Sequence, residues 1–477
     1  MLEITRHLIE VLNHNNVVYC NWKGTSKIED GLNGKSDIDI LVSKESARFV
    51  EDLLKKEGFV RAKTQWLFRF KEFYDWIGFD NETGKLIHLH LHYRMIAGHP
   101  NTMEYSLPWE SSVLKDRIKL DNDVYTVSPE WELLIFLYRI GLEYPNKKID
   151  RNKKELKVEA QQELEYLQKR VDWEHFSKLI KKEIKKESEV ILNISQQPIL
   201  CETDFLTLKR VTAKNLKGKY YNVLYKYLSS IKGIWNKILV KYFSTLYWLP
   251  QKKTLRNGLV VAFLGQDGSG KSTVTQEVEK WLNWKLEVKR FYLGSGEEYY
   301  NPWRRRLLKA LNKQQSPPVR IIRYWLYFSY LLESSRYVLK TVKNANRYAT
   351  NGGIALLDRY PQVEFEGIND GPKIRVTLLK KVPRGLKWLG EMYAKREERN
   401  LRRAVNMSPA LVYKLILSPE ESLRRKPFEN REMVERKHEI IKALKFPSSE
   451  VYTINAEQNY EQEIIQIKQI LWRKIQG

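Results

Sequence analysis

The sequence predicts two modules in series: an α+β N-terminal module with a helical tail, and a C-terminal α/β module wound around a parallel sheet. Three observations carry that reading. Strand-like and helix-like runs alternate until Ser128-Pro129-Glu130, where the pattern turns helical. In the C-terminal half, short continuous apolar runs of the kind buried in parallel strands are separated by helical stretches. Between the halves no Asp or Glu occurs from Phe205 to Gln266 while Lys and Arg recur, a composition shift that marks a junction.

A chain of 477 residues exceeds the size of one compact core. The expected boundaries are 1–195 for the first module, 196–256 for a basic helical linker and 257–477 for the second module. In the first module Val17 to Trp22, Ile38 to Val42, Leu67 to Phe79 and Leu86 to Tyr93 read as strands, and Lys44 to Glu57 as a helix. Pro129 then opens a helix whose apolar side holds Trp131, Leu133, Leu134, Phe136 and Leu137. In the linker, Trp235, Ile238, Leu239, Tyr242, Phe243 and Leu246 fall at helical spacing with Lys237 and Lys241 off the stripe. Such a helix suits an anionic membrane surface or, more commonly, packing on a neighbouring domain. In the second module Leu259 to Leu264, Gly353 to Leu357, Leu411 to Leu417 and Val451 to Ile454 are strands, and Ser272 to Leu282 is a helix.

With 42% hydrophobic and 30% charged residues, the composition excludes a disordered chain. A net charge of +25 favours polyanionic partners, among them nucleotides, nucleic acid, anionic lipid and acidic glycans, without choosing between them. Cys20 and Cys201 have no CxxC or Cys/His spacing, which points to a reducing compartment. The N-terminus lacks the pattern of a secretory signal, and Gly233 to Pro250 is broken by Lys237 and Lys241. The expected location is cytoplasmic, with peripheral membrane contact through the linker left open.

Gly265-Gln266-Asp267-Gly268-Ser269-Gly270-Lys271-Ser272 has the spacing GxxxxGKS between an apolar strand and a helix. There the glycines let backbone N–H groups turn around a triphosphate, Lys271 reaches the β and γ phosphates, and Ser272 ligates Mg²⁺. Asp358-Arg359-Tyr360 follows the apolar run Ile354 to Leu357, Arg336 lies a helix upstream, and Leu423-Arg424-Arg425-Lys426-Pro427 follows the strand from Leu411. On these four matches the C-terminal half resembles the thymidylate kinase family of P-loop kinases.

The resemblance implies binding of ATP and Mg²⁺ and transfer of the terminal phosphoryl group. Gly265, Asp267, Gly268, Ser269, Gly270, Lys271, Ser272 and Thr273 would form the ATP site. Lys271, Asp358, Arg359 and the lid residue Arg425 would be catalytic, with Ser272 and Asp358 on the metal. Asp267, Arg336 and Tyr360 would bind the acceptor. Family members are commonly homodimers.

Two departures bear on the acceptor. Leu332 stands where a phenylalanine usually stacks on thymine, and Gly367-Ile368-Asn369-Asp370-Gly371-Pro372 has no counterpart. A sugar or lipid-linked glycan acceptor, as in bacterial surface-polysaccharide metabolism, therefore stands beside a nucleotide.

Gly24-Thr25 followed by Asp37-Ile38-Asp39 resembles the signature of the polymerase-β-like nucleotidyltransferase fold, whose two carboxylates would hold Mg²⁺. A third carboxylate is expected on a later strand, but Ile87 to Arg94 places His90 there, beside His88 and His92. His90 and His92 join Gly24, Thr25, Asp37 and Asp39 as candidate site residues. Three roles are open: a nucleotide or sugar pocket, a polar sheet face, or a transition-metal site. The module is correspondingly an enzyme or a binding module. A basic adaptor for nucleic acid or membrane is the non-enzymatic alternative for the whole chain.

Overall fold

Alternation of inward and outward side chains on short strands builds the first sheet. Its strands are β1 (Tyr19–Asn21), β2 (Asp37–Val42), β3 (Val60–Ala62), β4 (Phe73–Phe79), β5 (Leu86–His92), β8 (Ile118–Lys119) and β9 (Tyr125–Thr126), in the order β3-β4-β5-β2-β1-β9-β8. Two further strands, β6 (Met95–Ala97) and β7 (Tyr105–Leu107), form a separate ribbon, as do β10 (Ile149–Asp150) and β11 (Glu155–Leu156). The sheet is mixed: β2 runs parallel to β5 and antiparallel to β1. The computed structural model describes residues 1–63, 73–98, 103–144, 149–150, 155–219, 252–293, 317–368, 370–376 and 387–477. They fall into two units, Met1–Ser244 and Thr245–Gly477.

The helical tail of the first unit begins where Pro129 predicts. Ser128 Oγ accepts from the Trp131 amide and opens the helix Pro129–Glu143, and Asp172 caps the helix Trp173–Glu183 the same way. The helix Glu202–Asn215, expected in the linker, is built into this unit: Phe205, Leu208 and Val211 are fully buried in one core with Trp131, Leu134 and Phe136. It approaches so closely that a Cβ on Gly141 would lie 2.7 Å from the Leu208 carbonyl carbon, so only glycine fits there. The basic helix expected over Trp235 to Leu246 lies outside the described residues, as does the start of the strand expected from Leu67.

In the second unit five parallel strands follow the order β13-β14-β12-β15-β16. They are β12 (Leu259–Gly265), β13 (Val288–Tyr292), β14 (Ile354–Asp358), β15 (Leu411–Ile416) and β16 (Glu450–Asn455). Four match the apolar runs read from the sequence. The fifth, β13, is an edge strand, and its Val-Lys-Arg-Phe-Tyr sequence has no continuous apolar run to announce it. β12 is central and buried on both faces, and at its C-terminal end Phe263 pairs with Asp358 of β14 and Gly265 with Leu415 of β15.

Cys20 is buried, whereas Cys201 is exposed at the start of its helix. Among the described residues no helix is long and apolar enough to cross a membrane.

Candidate functional site

The loop after β12 turns through two left-handed glycines, Gly268 at φ 85° and Gly270 at φ 80°, and enters the helix Lys271–Leu282. Nothing lies within 4 Å of a Cβ placed on Gly270, so the backbone conformation itself demands glycine there. This arrangement turns amides inward at a helix N-terminus, the geometry of an anion nest. Ser269 is buried within the loop, while Ser272 and Thr273 are exposed on the first helical turn.

Lys271 is buried, and its Nζ donates to Gln266 O at 2.8 Å. Burial first, and then the Arg359 guanidinium, push its ammonium down to about 8. Ser272 Oγ donates to Asp358 Oδ2 at 2.8 Å. The pairing of Phe263 with Asp358 between β12 and β14 brings these two groups together. Asp358 Oδ1 is buried and has no hydrogen-bond partner among the described residues.

Arg359 adopts φ 102°, a left-handed conformation that costs a non-glycine residue about 1–3 kcal/mol. Its guanidinium lies 3.9 Å from Asp267 and 3.7 Å from Asp370. Asp267 also accepts from Lys437 Nζ at 2.5 Å. Burial opposes the charge on Asp267, but Lys437, Lys271 and Arg359 outweigh it and hold the carboxyl below its usual range. These side chains, with Lys373, Ile368, Met433 and Ile441, line a pocket beside the loop.

Two buried side chains hold one wall of that pocket. Gln362 Nε2 donates to Phe365 O and Ile368 O, both at 2.7 Å. Glu397, from the helix Lys387–Val405, accepts from the amides of Lys373 and Ile374.

Arg425 meets the loop directly. Its Nη1 donates to Gly268 O at 3.1 Å, and its neighbour Ser422 donates Oγ to Asp267 O at 2.9 Å. Two sequence-predicted acceptor residues stand elsewhere. Tyr360 is a core residue whose hydroxyl donates to Ala404 O, because the chain direction after β14 turns it inward. Arg336 is exposed on the helix Pro317–Thr350 and is not among the described residues lining the pocket. Sequence reasoning missed Lys437, Lys373, Asp370, Gln362 and Glu397. A usable signal for Lys437 was Met433, Lys437 and Ile441 at four-residue spacing, one face of the helix Arg431–Ala443.

In the first unit β2 and β5 run in register with Asp37 opposite His88 and Asp39 opposite His90. His88 Nδ1 lies 2.8 Å from Asp37 Oδ1. Around the single oxygen Asp39 Oδ1 stand His90 Nδ1 at 3.0 Å, His92 Nε2 at 3.1 Å and Lys23 Nζ at 3.0 Å. Burial opposes the Asp39 charge, yet Lys23 and His90 keep its carboxyl well below the usual range. On β5 the position expected to be acidic is His90, and a third carboxylate stands on β4: buried Asp75 lies 3.1 Å from His88 Nε2 and 3.2 Å from His90 Nε2.

Gly24, at φ 69°, and Thr25 form the turn after β1, where buried Glu132 accepts from the Thr25 amide at 2.7 Å. Burial pushes Glu132 up to about 7. Magnesium, which the signature implies for Asp37 and Asp39, prefers an all-oxygen octahedron. Three imidazoles interleaved with the carboxylates do not fit that preference.

The chain is 26% identical over 219 residues to an uncharacterized ATP-binding protein, YghR, of Escherichia coli strain K12, covering 43% of this chain and 84% of the relative. A second uncharacterized ATP-binding protein of that strain, YghS, is 24% identical over 212 residues, covering 41% of this chain and 85% of the relative. No protein-family model matches the chain. Among solved structures, a deoxyadenosine kinase from M. mycoides with bound dATP is 18% identical at a TM-score of 0.28, covering 45% of this chain and 99% of that one.

Proposed function

We propose that the C-terminal unit is an ATP-dependent phosphotransferase of the P-loop kinase class. The observation that carries this reading is the 2.8 Å contact between Ser272 Oγ and Asp358 Oδ2, beside a loop whose two left-handed glycines form an anion nest. The names of the Escherichia coli relatives, ATP-binding proteins, agree with it.

Mg²⁺ fits this pair, because Asp358 Oδ1 is a buried carboxylate oxygen with no protein partner among the described residues. Ser272 and Asp358 would hold the ion, which neutralises charge on the β and γ phosphates when bound. The loop amides orient the polyphosphate, and Lys271 exchanges its bond to Gln266 O for a phosphate oxygen. Arg359 and Arg425 flank the loop and offset the negative charge that develops during in-line transfer. Lys271→Ala is expected to abolish ATP turnover in a folded protein; retained turnover would reject the kinase reading.

The acceptor is read in two ways. A nucleoside monophosphate follows from the thymidylate kinase resemblance. A sugar or lipid-linked glycan phosphate is favoured by the pocket, whose described lining has no aromatic side chain for base stacking but carries Asp267, Asp370, Lys373 and Lys437. An acceptor screen with labelled ATP, covering dTMP, other nucleotides and glycan acceptors, separates them.

For the first unit we infer a nucleotidyltransferase-like module, supported by the Gly24-Thr25 turn and three carboxylates on one sheet face. Pyrophosphate release by the wild type, lost in Asp37→Ala/Asp39→Ala, is the sign of an enzyme; no release in either marks a binding module.

A further inference from the structure

The geometry points to a transition-metal site on the first sheet, formed by Asp39, His90 and His92. It does not rest on the kinase reading, because every residue in it belongs to the first unit, and it reassigns Asp39, which the nucleotidyltransferase resemblance gives to Mg²⁺.

Convergence is the first argument. One ligand atom from each of Asp39, His90 and His92 lies within 4.8 Å of the others, and His90 also belongs to a second such group with Asp37 and His88. The strand pairing fixes this: β5 puts His88, His90 and His92 on one face, and the parallel neighbour β2 puts Asp37 and Asp39 beside them.

The second argument is support behind the ligands. A metal-binding imidazole usually gives its far N–H to a carboxylate, which sets the tautomer and ring angle. His90 has that arrangement: Nδ1 faces Asp39 at 3.0 Å, while Nε2 faces buried Asp75 at 3.2 Å. Aromatic rings hold the orientation further. Phe73 lies 4.9 Å from the His90 ring and 4.5 Å from the His92 ring, and Trp22 lies 5.1 Å from His92, measured between centroids.

Access is the third. Asp39 keeps 16% of its side-chain surface exposed and His90 18%, so an ion can enter from solvent, displacing Lys23 Nζ from Asp39 Oδ1. Two imidazoles and a carboxylate select a borderline divalent ion such as Zn²⁺ or Co²⁺ over Mg²⁺.

The test uses the full-length chain, stripped with a chelator and titrated with Co²⁺ while its visible ligand-field absorption is followed. One Co²⁺ per chain is expected at this site, displaced by equimolar Zn²⁺ but retained in about a 100-fold excess of Mg²⁺. His90→Gln should weaken binding by more than about 100-fold, and Asp75→Asn by about 10–100-fold as for an outer partner. Ser272→Ala, in the other unit, should leave the spectrum unchanged. Absence of the band in the wild type, displacement by equimolar Mg²⁺, or retention in His90→Gln overturns the proposal. Circular dichroism checks each variant, and if His90→Gln does not fold, the wild-type competition and Asp75→Asn decide.

Discussion

The two candidate centres solve the problem of holding charge in opposite ways. In the C-terminal unit the backbone does the work: glycines at positive φ aim amides at an anion, and a few side chains, Lys271, Ser272 and Asp358, complete the site. In the N-terminal unit the sheet face does it with side chains alone, six carboxylates and imidazoles alternating across β2, β4 and β5. A backbone nest is written in a short contiguous motif. A side-chain lattice depends on strand register, so its contiguous pieces, Asp37-Ile38-Asp39 and the alternating histidines, can be read without showing that they meet or that Asp75 joins them.

The largest effect that tests this contrast falls on the nest. Lys271→Ala or Asp358→Asn should each lower ATP turnover by about 10²–10³-fold or more in steady-state assays, the scale of losing one preorganised charge partner. Stability against pH should then carry contributions of opposite sign from Glu132 and Lys271. Glu132 rises from 4.5 to about 7 on folding, so the folded state holds the extra proton and about 3 kcal/mol of stability is lost as pH rises through that window. Lys271 falls from 10.5 to about 8, so the unfolded state holds the extra proton and stability is gained from pH 8 to 10.5. Urea midpoints measured across pH should show a shallower first slope in Glu132→Gln, where buried Glu463 still contributes, and a shallower second slope in Lys271→Ala.

A smaller effect is expected at Glu397, where Glu397→Ala leaves the buried amide of Ile374 and the half-buried amide of Lys373 without their acceptor. It should cost about 1–3 kcal/mol in urea unfolding and raise the acceptor KM more than it lowers kcat. The smallest belongs to Lys437→Met. It removes the nearest cation from Asp267, whose carboxyl should titrate higher, shifting the acidic limb of the rate profile upward.

The fold of the second unit was largely legible because buried parallel strands are continuous apolar runs. β13 escaped because an edge strand need not be one. The nest was legible for the same local reason, whereas the pocket was not: Lys437 is 170 residues from Asp267 in sequence, and only the packing of its helix brings them together. Tyr360 shows the converse, since a motif triplet names residue types without saying which of them faces the core. In the first unit the aspartates and histidines were readable, but Asp75 was not, because its role depends on the antiparallel pairing of β4 with β5.

Glu397 has a consequence for how substrate choice can change. The wall carrying Asp370 is tethered through main-chain amides to a carboxylate on another helix. A shift of that helix by even a fraction of an ångström would reposition the wall while leaving every pocket side chain intact. Selectivity for the acceptor can therefore be retuned from the scaffold, without touching a single residue that meets the substrate.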